Sequence, residues 1–248
     1  MAIFDIITRM KETTIYISEK NLLANHELLT QFAGTPVWPV LKSNAYGHGI
    51  DQVAEILKSV GVEYFIVQNY FEAEQIWQTL PGQKVLMLGT EPFSLYADMN
   101  FDLITPVVGS LQLLTHVADL QQKLSIHIKI NTGMNRQGFD PSDITQVIET
   151  LKKSTHLTIQ GIMTHFSDAD GTNNSFTEKQ YQCFESCINE FREAGINPRW
   201  VHTSNSAGLS KIAPGLVTAA RSGIALYGLN PLEESDPFYN QYEQLQPV

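Results

Sequence analysis

The chain has 248 residues, of which 43% are hydrophobic and 17% are charged, so its length and composition suit one large globular domain with a substantial core. Its formal net charge of −10 and pI near 5.1 argue against sequence-independent binding to nucleic acid or to an anionic membrane. A small solute or another protein is the expected partner.

The amino-terminal segment lacks the layout of a secretory signal. Met1 to Lys11 contains several apolar residues, but Asp5 interrupts the run and no basic residue precedes it. No stretch approaches the roughly 18 uninterrupted apolar residues of a membrane-spanning helix. Cys183 and Cys187 lie four apart in a helical pattern, a spacing with poor geometry for a disulfide, so we expect reduced thiols. These features predict a cytoplasmic protein.

The predicted elements alternate between strands and helices. Residues 13–17 read as a strand, and Ser18 is a candidate cap for a helix that runs to Gly34. Eight apolar runs then follow, each closed by a glycine, proline or polar turn, at 37–41, 64–67, 85–88, 103–107, 125–130, 157–163, 200–201 and 217–220. Helical patterns lie between them, at 51–60, 71–80, 110–120, 142–153 and 177–194.

This alternation predicts an α/β fold of the (β/α)8 TIM-barrel type, with parallel strands surrounded by helices. An open doubly wound sheet is the competing architecture, and it favours a GxGxxG turn after the first strand. Gly47-His48-Gly49 lacks that spacing, so the barrel is favoured. Functional residues are then expected at the carboxyl ends of the strands, where several loops converge.

The first candidate site residue is Lys42, which follows the first barrel strand within the sequence VLKSNAYGHG of residues 40–49. A lysine at the end of a buried strand has little water around its ammonium, which lowers its pKa and frees the amine to attack a carbonyl carbon. Taken alone, a solvated lysine without a chemical role is the commoner outcome at such a position.

The decamer resembles the pyridoxal 5′-phosphate attachment motif of the alanine racemases, and a match of ten residues is far more specific than a lone glycine pattern. The resemblance runs from about Thr13 to the end of the chain. It implies that Lys42 is the Schiff-base lysine and one of two bases, and that Tyr46 hydrogen-bonds the cofactor phosphate. No metal ion is expected.

Arg136 lies in a glycine-flanked loop after the fifth strand, where an arginine can bind an anion although most loop arginines are solvated. The resemblance implies that Arg136 contacts the phenolic oxygen of the cofactor and the substrate carboxylate, with Met134 close by. Lys129 matches a position that is carbamylated in some family members, but the aspartate usually found two residues later is Asn131 here. We therefore expect an unmodified Lys129 paired with a carboxylate.

Two further candidates follow the sixth and seventh strands. A lone histidine is more often structural than catalytic, but the resemblance implies that His165 stacks on the pyridine ring. Asp168 and Asp170 could instead form half of a metal site, although no further ligand at suitable spacing supports one. The polar run after the seventh strand suits a phosphate or an ordinary helix cap, and the resemblance aligns Ser204 with the phosphate-binding serine of the family.

The eighth strand leads into ARSGIALYGL, residues 220–229, which also resembles the family. Gly223 and Ile224 would offer backbone amides to the phosphate, and Arg221 would face the pyridine nitrogen. Because an arginine keeps its proton at ordinary pH, it would leave that nitrogen unprotonated and make the cofactor a weaker electron sink. The resemblance thus assigns catalysis to Lys42, Arg136, His165 and Arg221.

The same resemblance predicts the domain organisation: an extension over 1–12, the cofactor-binding barrel over 13–230, and a linker over 231–248 towards a β-rich domain. In the racemases that domain carries the second base, a tyrosine. Racemisation needs proton transfer on both faces of the substrate α-carbon, and Lys42 serves only one. A truncated chain or gene fragment is favoured over a natural single-domain relative.

The expected function is interconversion of L-alanine and D-alanine, which supplies peptidoglycan synthesis, by an enzyme that is a homodimer in its full-length form. Two alternatives stay open. One is a single-domain carrier of pyridoxal phosphate without racemase activity, and the other is a racemase of another amino acid such as serine.

Overall fold

The computed structural model describes residues 15–211 and 215–248. Its strands are β1 (Val37–Pro39), β2 (Phe65–Val67), β3 (Val85–Met87), β4 (Ile104–Val108), β5 (Leu124–Lys129), β6 (Leu157–Met163), β7 (Trp200–His202) and β8 (Ala220–Ser222). The helices are α1 (Glu19–Ala33), α2 (Ile50–Leu57), α3 (Tyr70–Thr79), α4 (Phe93–Tyr96), α5 (Leu111–Asp119), α6 (Ile144–Lys153), α7 (Ser175–Glu193) and α8 (Tyr239–Tyr242). Turns of 3₁₀ helix span Lys58–Val60, Pro141–Asp143, Ala207–Ser210 and Ile224–Tyr227.

The eight strands close into a parallel barrel. β2 to β7 form one six-stranded sheet in sequence order, and β1 pairs with β8 in register, with Trp38 opposite Arg221. A bridge between Val40 and Ile66 joins β1 to β2, and the Thr218 amide donates to the Val201 carbonyl (2.8 Å), which joins the start of β8 to β7. The structure therefore confirms the predicted (β/α)8 barrel.

Polar side chains cap several helix starts, and Ser18 among them was predicted. The Ser18 side chain accepts from the Asn21 amide at the start of α1, and Gly34 ends that helix in the left-handed conformation at φ 61°. Asn69 and Ser110 cap α3 and α5 in the same way. Strands β1, β2 and β3 are buried throughout because their side chains face either the barrel interior or the surrounding helices.

The barrel interior is filled by large side chains, among them Trp38, Tyr64 and Met163. His127 also lies inside, and it fits there because the facing residue on β6 is Gly161, where a Cβ would overlap the imidazole ring. The pairing of β5 with β6 shifts register at this point, between Ile126 and His127.

The structure differs from the sequence prediction at both ends of the barrel. Of the predicted strand 13–17, residues 15–17 form no strand and leave Ile15 and Tyr16 exposed, while 13, 14 and the extension 1–12 lie outside the described residues. The eighth strand begins three residues later than predicted because the amides of Thr218 and Ala219 bond to Val201 instead of pairing with β1. The short helix α4 was not predicted.

Residues 231–248, predicted as a linker, pack against the barrel. Leu232, Tyr242 and Leu245 are buried. The Asn25 side chain on α1 donates to the carbonyl of Gln246 (2.8 Å) and accepts from its amide (2.9 Å). Among the described residues, no helix is both long and apolar enough to span a bilayer.

Candidate functional site

A cavity of about 320 Å³ opens at the carboxyl ends of the strands. Nearly all the predicted site residues line it: Lys42, Tyr46, Met134, Arg136, His165, Arg221, Gly223 and Ile224. Ser204 is the exception among them. Because these residues come from loops after β1, β5, β6 and β8 and from β8 itself, the barrel brings together side chains that are up to 182 positions apart, from Lys42 to Ile224.

The turn that carries Lys42 is a left-handed helical turn. Residues 43–46 have φ of 53–55°, and Ser43, Asn44 and Ala45 have ψ of 48–49°. A left-handed helix costs L-residues about 1–2 kcal/mol per residue, so this turn needs support from its surroundings. The Asn44 side chain supplies part of it by accepting from the Ile50 amide at the start of α2 (2.8 Å).

Glu72, in the first turn of α3, supplies the other part of that support. Its side chain is buried, Oε1 accepts from the Ser43 amide (2.6 Å) and Oε2 accepts from the Gln68 amide (2.7 Å). A buried carboxylate that accepts from both amides ties the left-handed turn to the end of β2. Sequence reasoning missed Glu72, because an acidic residue in a first helical turn is ordinary on its own.

The Lys42 ammonium sits in an environment that favours the neutral amine. Burial is the main cause that lowers the pKa of Lys42, the positive charge of Arg136 lowers it further, and the Glu72 carboxylate partly opposes the shift. The Nζ atom lies 5.9 Å from the centroid of the Tyr46 ring. This agrees with the reasoning that a lysine at a buried strand end is desolvated.

Arg221 lies on β8, its side chain is buried, and it begins a series of hydrogen bonds across the barrel interior. One terminal nitrogen donates to His202 Nδ1, and the other donates to the carbonyls of Thr164 (2.9 Å) and Thr203 (3.0 Å). His202 Nε2 lies 2.8 Å from His127 Nδ1. Burial lowers the pKa of Arg221 to about 9, which still leaves it protonated at neutral pH.

These hydrogen bonds determine which ring nitrogen carries the proton in both interior histidines. Because an arginine can only donate, His202 must accept through Nδ1, keep its proton on Nε2 and donate it to His127. Burial, with the Arg221 charge as the second cause, lowers the pKa of His127 to about 3 and that of His202 well below its ordinary value. Both rings are therefore neutral, and sequence reasoning identified neither.

His165 completes the buried end of the cavity. Its Nδ1 lies 3.4 Å from a terminal nitrogen of Arg221, at the limit of a hydrogen bond. Burial and the nearby cations Arg221 and Lys129 lower its pKa strongly, so it is a neutral ring at neutral pH. A neutral, flat side chain at this position can pack on another ring without adding charge.

At the opposite end of the cavity, Tyr46, Gly223 and Ser206 form a compact group. A Cβ at position 223 would overlap the Tyr46 hydroxyl and lie 2.9 Å from its ring carbon Cζ, so this close approach requires glycine. Ser206 Oγ accepts from the amides of Gly223 (3.0 Å) and Ala225 (3.2 Å), which ties the loop after β7 to the loop after β8. We call Tyr46, Ser206, Gly223 and Ile224 the anion cradle.

The structure does not bring Ser204 to the cavity. Its side chain is buried, and its hydroxyl lies 3.5 Å from that of Thr203. Ser206 lines the cavity instead, because the chain turns into the 3₁₀ helix Ala207–Ser210 directly after it. The two serines are only two residues apart, so the sequence alone could not separate them.

Lys129 has a different partner from the one predicted. Its Nζ contacts the amide oxygen of Gln137 (3.4 Å) instead of a carboxylate. Burial is the first cause that lowers its pKa to about 8, followed by the charges of Arg136, Arg221 and Lys42. Asn131, which replaces the aspartate of the family, donates to Asn135 within its own loop (3.0 Å) and to Asp140 (2.9 Å).

The charges around the cavity are mostly positive, although the whole chain has a net charge of −10. Lys42, Lys129, Arg136 and Arg221 lie close enough to shift one another's pKa or that of His165. Asp170 is the acidic residue on the cavity wall. In the part of the chain that the structure describes, no group of three His, Cys, Asp or Glu side chains is arranged to hold a metal ion. The cavity therefore suits an anion.

A second, larger cavity of about 550 Å³ lies at the amino ends of the strands, between residues 35–38 and 60–63. Trp38 and Trp200 contribute to its wall, and Glu63 there pairs with Arg199 (3.0 Å). In barrels this face serves stability, whereas the carboxyl face carries function. The smaller cavity is therefore the candidate site.

Comparison with known proteins identifies similar chains. The family described as "Alanine racemase, N-terminal domain" matches residues 17–231. An alanine racemase of Ligilactobacillus salivarius is 32% identical over 236 residues, which cover 91% of this chain and 62% of that protein. A lysine racemase of Oenococcus oeni is 31% identical, and the match covers 96% of this chain and 64% of that protein.

A solved structure of alanine racemase from Clostridium difficile superposes with a TM-score of 0.82 at 29% identity, and the match covers 92% of this chain and 61% of that one. The chain thus spans about three fifths of the length of the relatives it matches.

Proposed function

The chain belongs to the family of alanine racemase N-terminal domains, and on that premise we propose that its barrel binds pyridoxal 5′-phosphate and serves the racemisation of a small amino acid, alanine first among them. The observation that carries the proposal is the position of Lys42. Its amine has a lowered pKa and lies on a cavity that two arginines and the anion cradle also line.

The residues on the cavity fit pyridoxal phosphate. Lys42 offers an amine for the aldehyde, and the anion cradle offers the hydroxyls of Tyr46 and Ser206 for the phosphate. The Gly223 amide, which the resemblance assigned to the phosphate, donates instead to Ser206 Oγ (3.0 Å). Arg221 offers a permanent donor at the buried end, and the excess of cations suits a phosphate. When bound, this cofactor withdraws electrons from the α-carbon of an amino acid and so acidifies its α-hydrogen.

The residues of the chain would then have separate roles in proton transfer, substrate binding and cofactor binding. Lys42, whose pKa is lowered mainly by burial, can accept a proton at Nζ on one face of the substrate. Arg136 would bind the substrate carboxylate, with Met134 beside it, and His165 would pack on the cofactor ring. Arg221 retains its proton and can only donate, so it does not protonate a ring nitrogen placed against it.

Several parts of this proposal rest on the resemblance to the racemases. A second base, a tyrosine, would serve the other face of the α-carbon from outside the matched barrel. The full-length form would be a homodimer in the cytoplasm, and its product would supply D-alanine for peptidoglycan. Because a lysine racemase is as similar to this chain as an alanine racemase is, lysine is the second candidate substrate.

The first test is spectroscopic. After incubation with pyridoxal phosphate and removal of the free cofactor, we expect a yellow protein whose absorbance band is lost in Lys42→Ala. Lys58→Ala is the matched control, because Lys58 is an exposed helix-end lysine with a side chain that is 53% accessible. A wild-type protein that stays colourless would refute the proposal.

The second test follows the α-hydrogen of alanine, serine and lysine in deuterated solvent. Exchange with inversion indicates two bases, and exchange without inversion indicates that Lys42 acts alone. No exchange by a yellow protein would favour the carrier function over the enzyme.

A further inference from the structure

The segment that follows the barrel contacts the anion cradle directly. The hydroxyl of Tyr242 on α8 donates to the backbone carbonyl of Ser206 (2.8 Å) and lies beside Ser210, so it spans the 3₁₀ turn Ala207–Ser210. Tyr242 is buried and its ring packs against Phe32 with centroids 5.4 Å apart. Burial raises its pKa to about 12, which keeps the hydroxyl protonated as a donor.

A buried ion pair fastens the far end of the same turn. Lys211 Nζ lies 2.6 Å from a carboxylate oxygen of Asp236, and the side chains are only 1% and 0% accessible. Lys211 also donates to the Gly171 carbonyl (2.8 Å), next to Asp170 on the cavity wall. The other Asp236 oxygen accepts from the Phe238 amide (2.9 Å), so each charged group has a second partner.

These contacts converge on Ser206. Its carbonyl is held by Tyr242, and its Oγ in turn accepts from the amides of Gly223 and Ala225. Pro231, where the segment begins, lies on the cavity wall itself. A shift of the segment would therefore move Ser206 and, with it, the loop of Gly223 and Ala225 that borders the proposed phosphate site.

We propose that residues 231–245 position the phosphate-binding end of the cavity: Tyr242 and the Lys211–Asp236 pair hold the 206–211 turn so that Ser206 keeps Gly223 and Ala225 in place. The inference deepens the proposed function and rests on it. Tyr242 and Asp236 do not line the cavity, so they are positioning residues and not catalytic ones.

The experiment compares two ligands that differ only in the phosphate. Pyridoxal 5′-phosphate and pyridoxal are each titrated into the full chain, and binding is measured by absorbance. The wild type is compared with Tyr242→Phe and Asp236→Asn. Tyr96→Phe is the matched control, because Tyr96 is fully buried and its hydroxyl makes one backbone contact, with the Glu91 amide (3.3 Å), away from the anion cradle. Thermal melting of each variant reports whether it is folded.

We expect Tyr242→Phe to weaken binding of pyridoxal phosphate about five- to tenfold, as the loss of one hydrogen bond predicts, and Asp236→Asn to weaken it more. Binding of pyridoxal should change less than about twofold, and Tyr96→Phe should change neither. Tyr242→Phe removes one hydroxyl only. If it weakens the binding of both ligands equally, or of neither, the positioning inference is overturned while the proposed function stands. A wild-type chain that binds neither ligand overturns both.

Discussion

The support that Glu72 gives to the left-handed turn can be tested by changing one oxygen atom. Glu72→Gln keeps the shape of the side chain, but its NH2 group replaces one of the two oxygens that accept from the amides of Ser43 and Gln68. One backbone N–H then faces another donor. Hydrogen bonds to charged groups contribute about 1.5–3 kcal/mol.

We therefore expect Glu72→Gln to lower the free energy of unfolding by about 2–3 kcal/mol, which for a chain of this size corresponds to about 5–10 °C in Tm. Glu91→Gln is the matched control. Glu91 accepts from one backbone amide, that of Tyr70 (2.7 Å), and the glutamine carbonyl can retain that bond. Its expected cost is below about 1 kcal/mol.

Urea unfolding followed by circular dichroism measures the difference between the two variants. Similar midpoints for Glu72→Gln and Glu91→Gln would refute the reasoning, because Glu72 would then not hold both amides. The same substitution also removes a negative charge that raises the pKa of Lys42. The pH at which pyridoxal phosphate reacts with Lys42 should consequently move downward.

Three further predictions concern the cavity and the barrel interior. Gly223→Ala should weaken pyridoxal phosphate binding at least about tenfold in an absorbance titration, because its Cβ would displace Tyr46, and unchanged binding would contradict the close approach. In the same titration, Ser206→Ala should weaken binding about tenfold, because the cavity loses a hydroxyl and the loop after β8 loses the acceptor that holds it in place. Ser204→Ala should change binding less than about twofold, and equal effects of the two variants would contradict the assignment of Ser206 to the cavity. Burial lowers the pKa of His127 from 6.5 to about 3, so the unfolded chain takes up a proton first and stability is lost as the pH falls from about 6.5 towards 3, by up to about 1.4 kcal/mol per pH unit. His165 and His202, whose pKa values burial also lowers, add to the slope of the wild type. Urea unfolding between pH 7 and 5 should therefore show a free energy of unfolding that falls less steeply with pH in His127→Gln than in the wild type, and equal slopes would refute the prediction.

The sequence was most informative where local signals decide structure. Continuous apolar runs predicted the barrel strands because parallel strands are buried on both faces, and the strand over Leu157–Met163 was predicted to the residue. Lys42 and Tyr46 stood out because a ten-residue motif is specific. The exposed stretch 15–17 has a strand-like composition, but no neighbouring strand pairs with it in the part of the chain described.

The sequence was least informative about contacts between distant residues. Glu72 is 29 positions from Ser43, and nothing in its neighbourhood marks it as a support for that turn. The choice between Ser204 and Ser206 depends on how a 3₁₀ turn rotates the chain. The partner of Lys129 depends on the path of the loop that carries Gln137. These features arise from tertiary packing and not from local propensity.

The left-handed turn also limits how this part of the chain can change in length. Such a helix rotates the chain by about 100° per residue, as a right-handed one does, but in the opposite sense. One inserted or deleted residue between Lys42 and Tyr46 would swing the phenol about a quarter of a circle away from Gly223. The number of residues between Lys42 and Tyr46, which is three, therefore cannot change without displacing the phenol. Insertions and deletions have to occur elsewhere in the molecule.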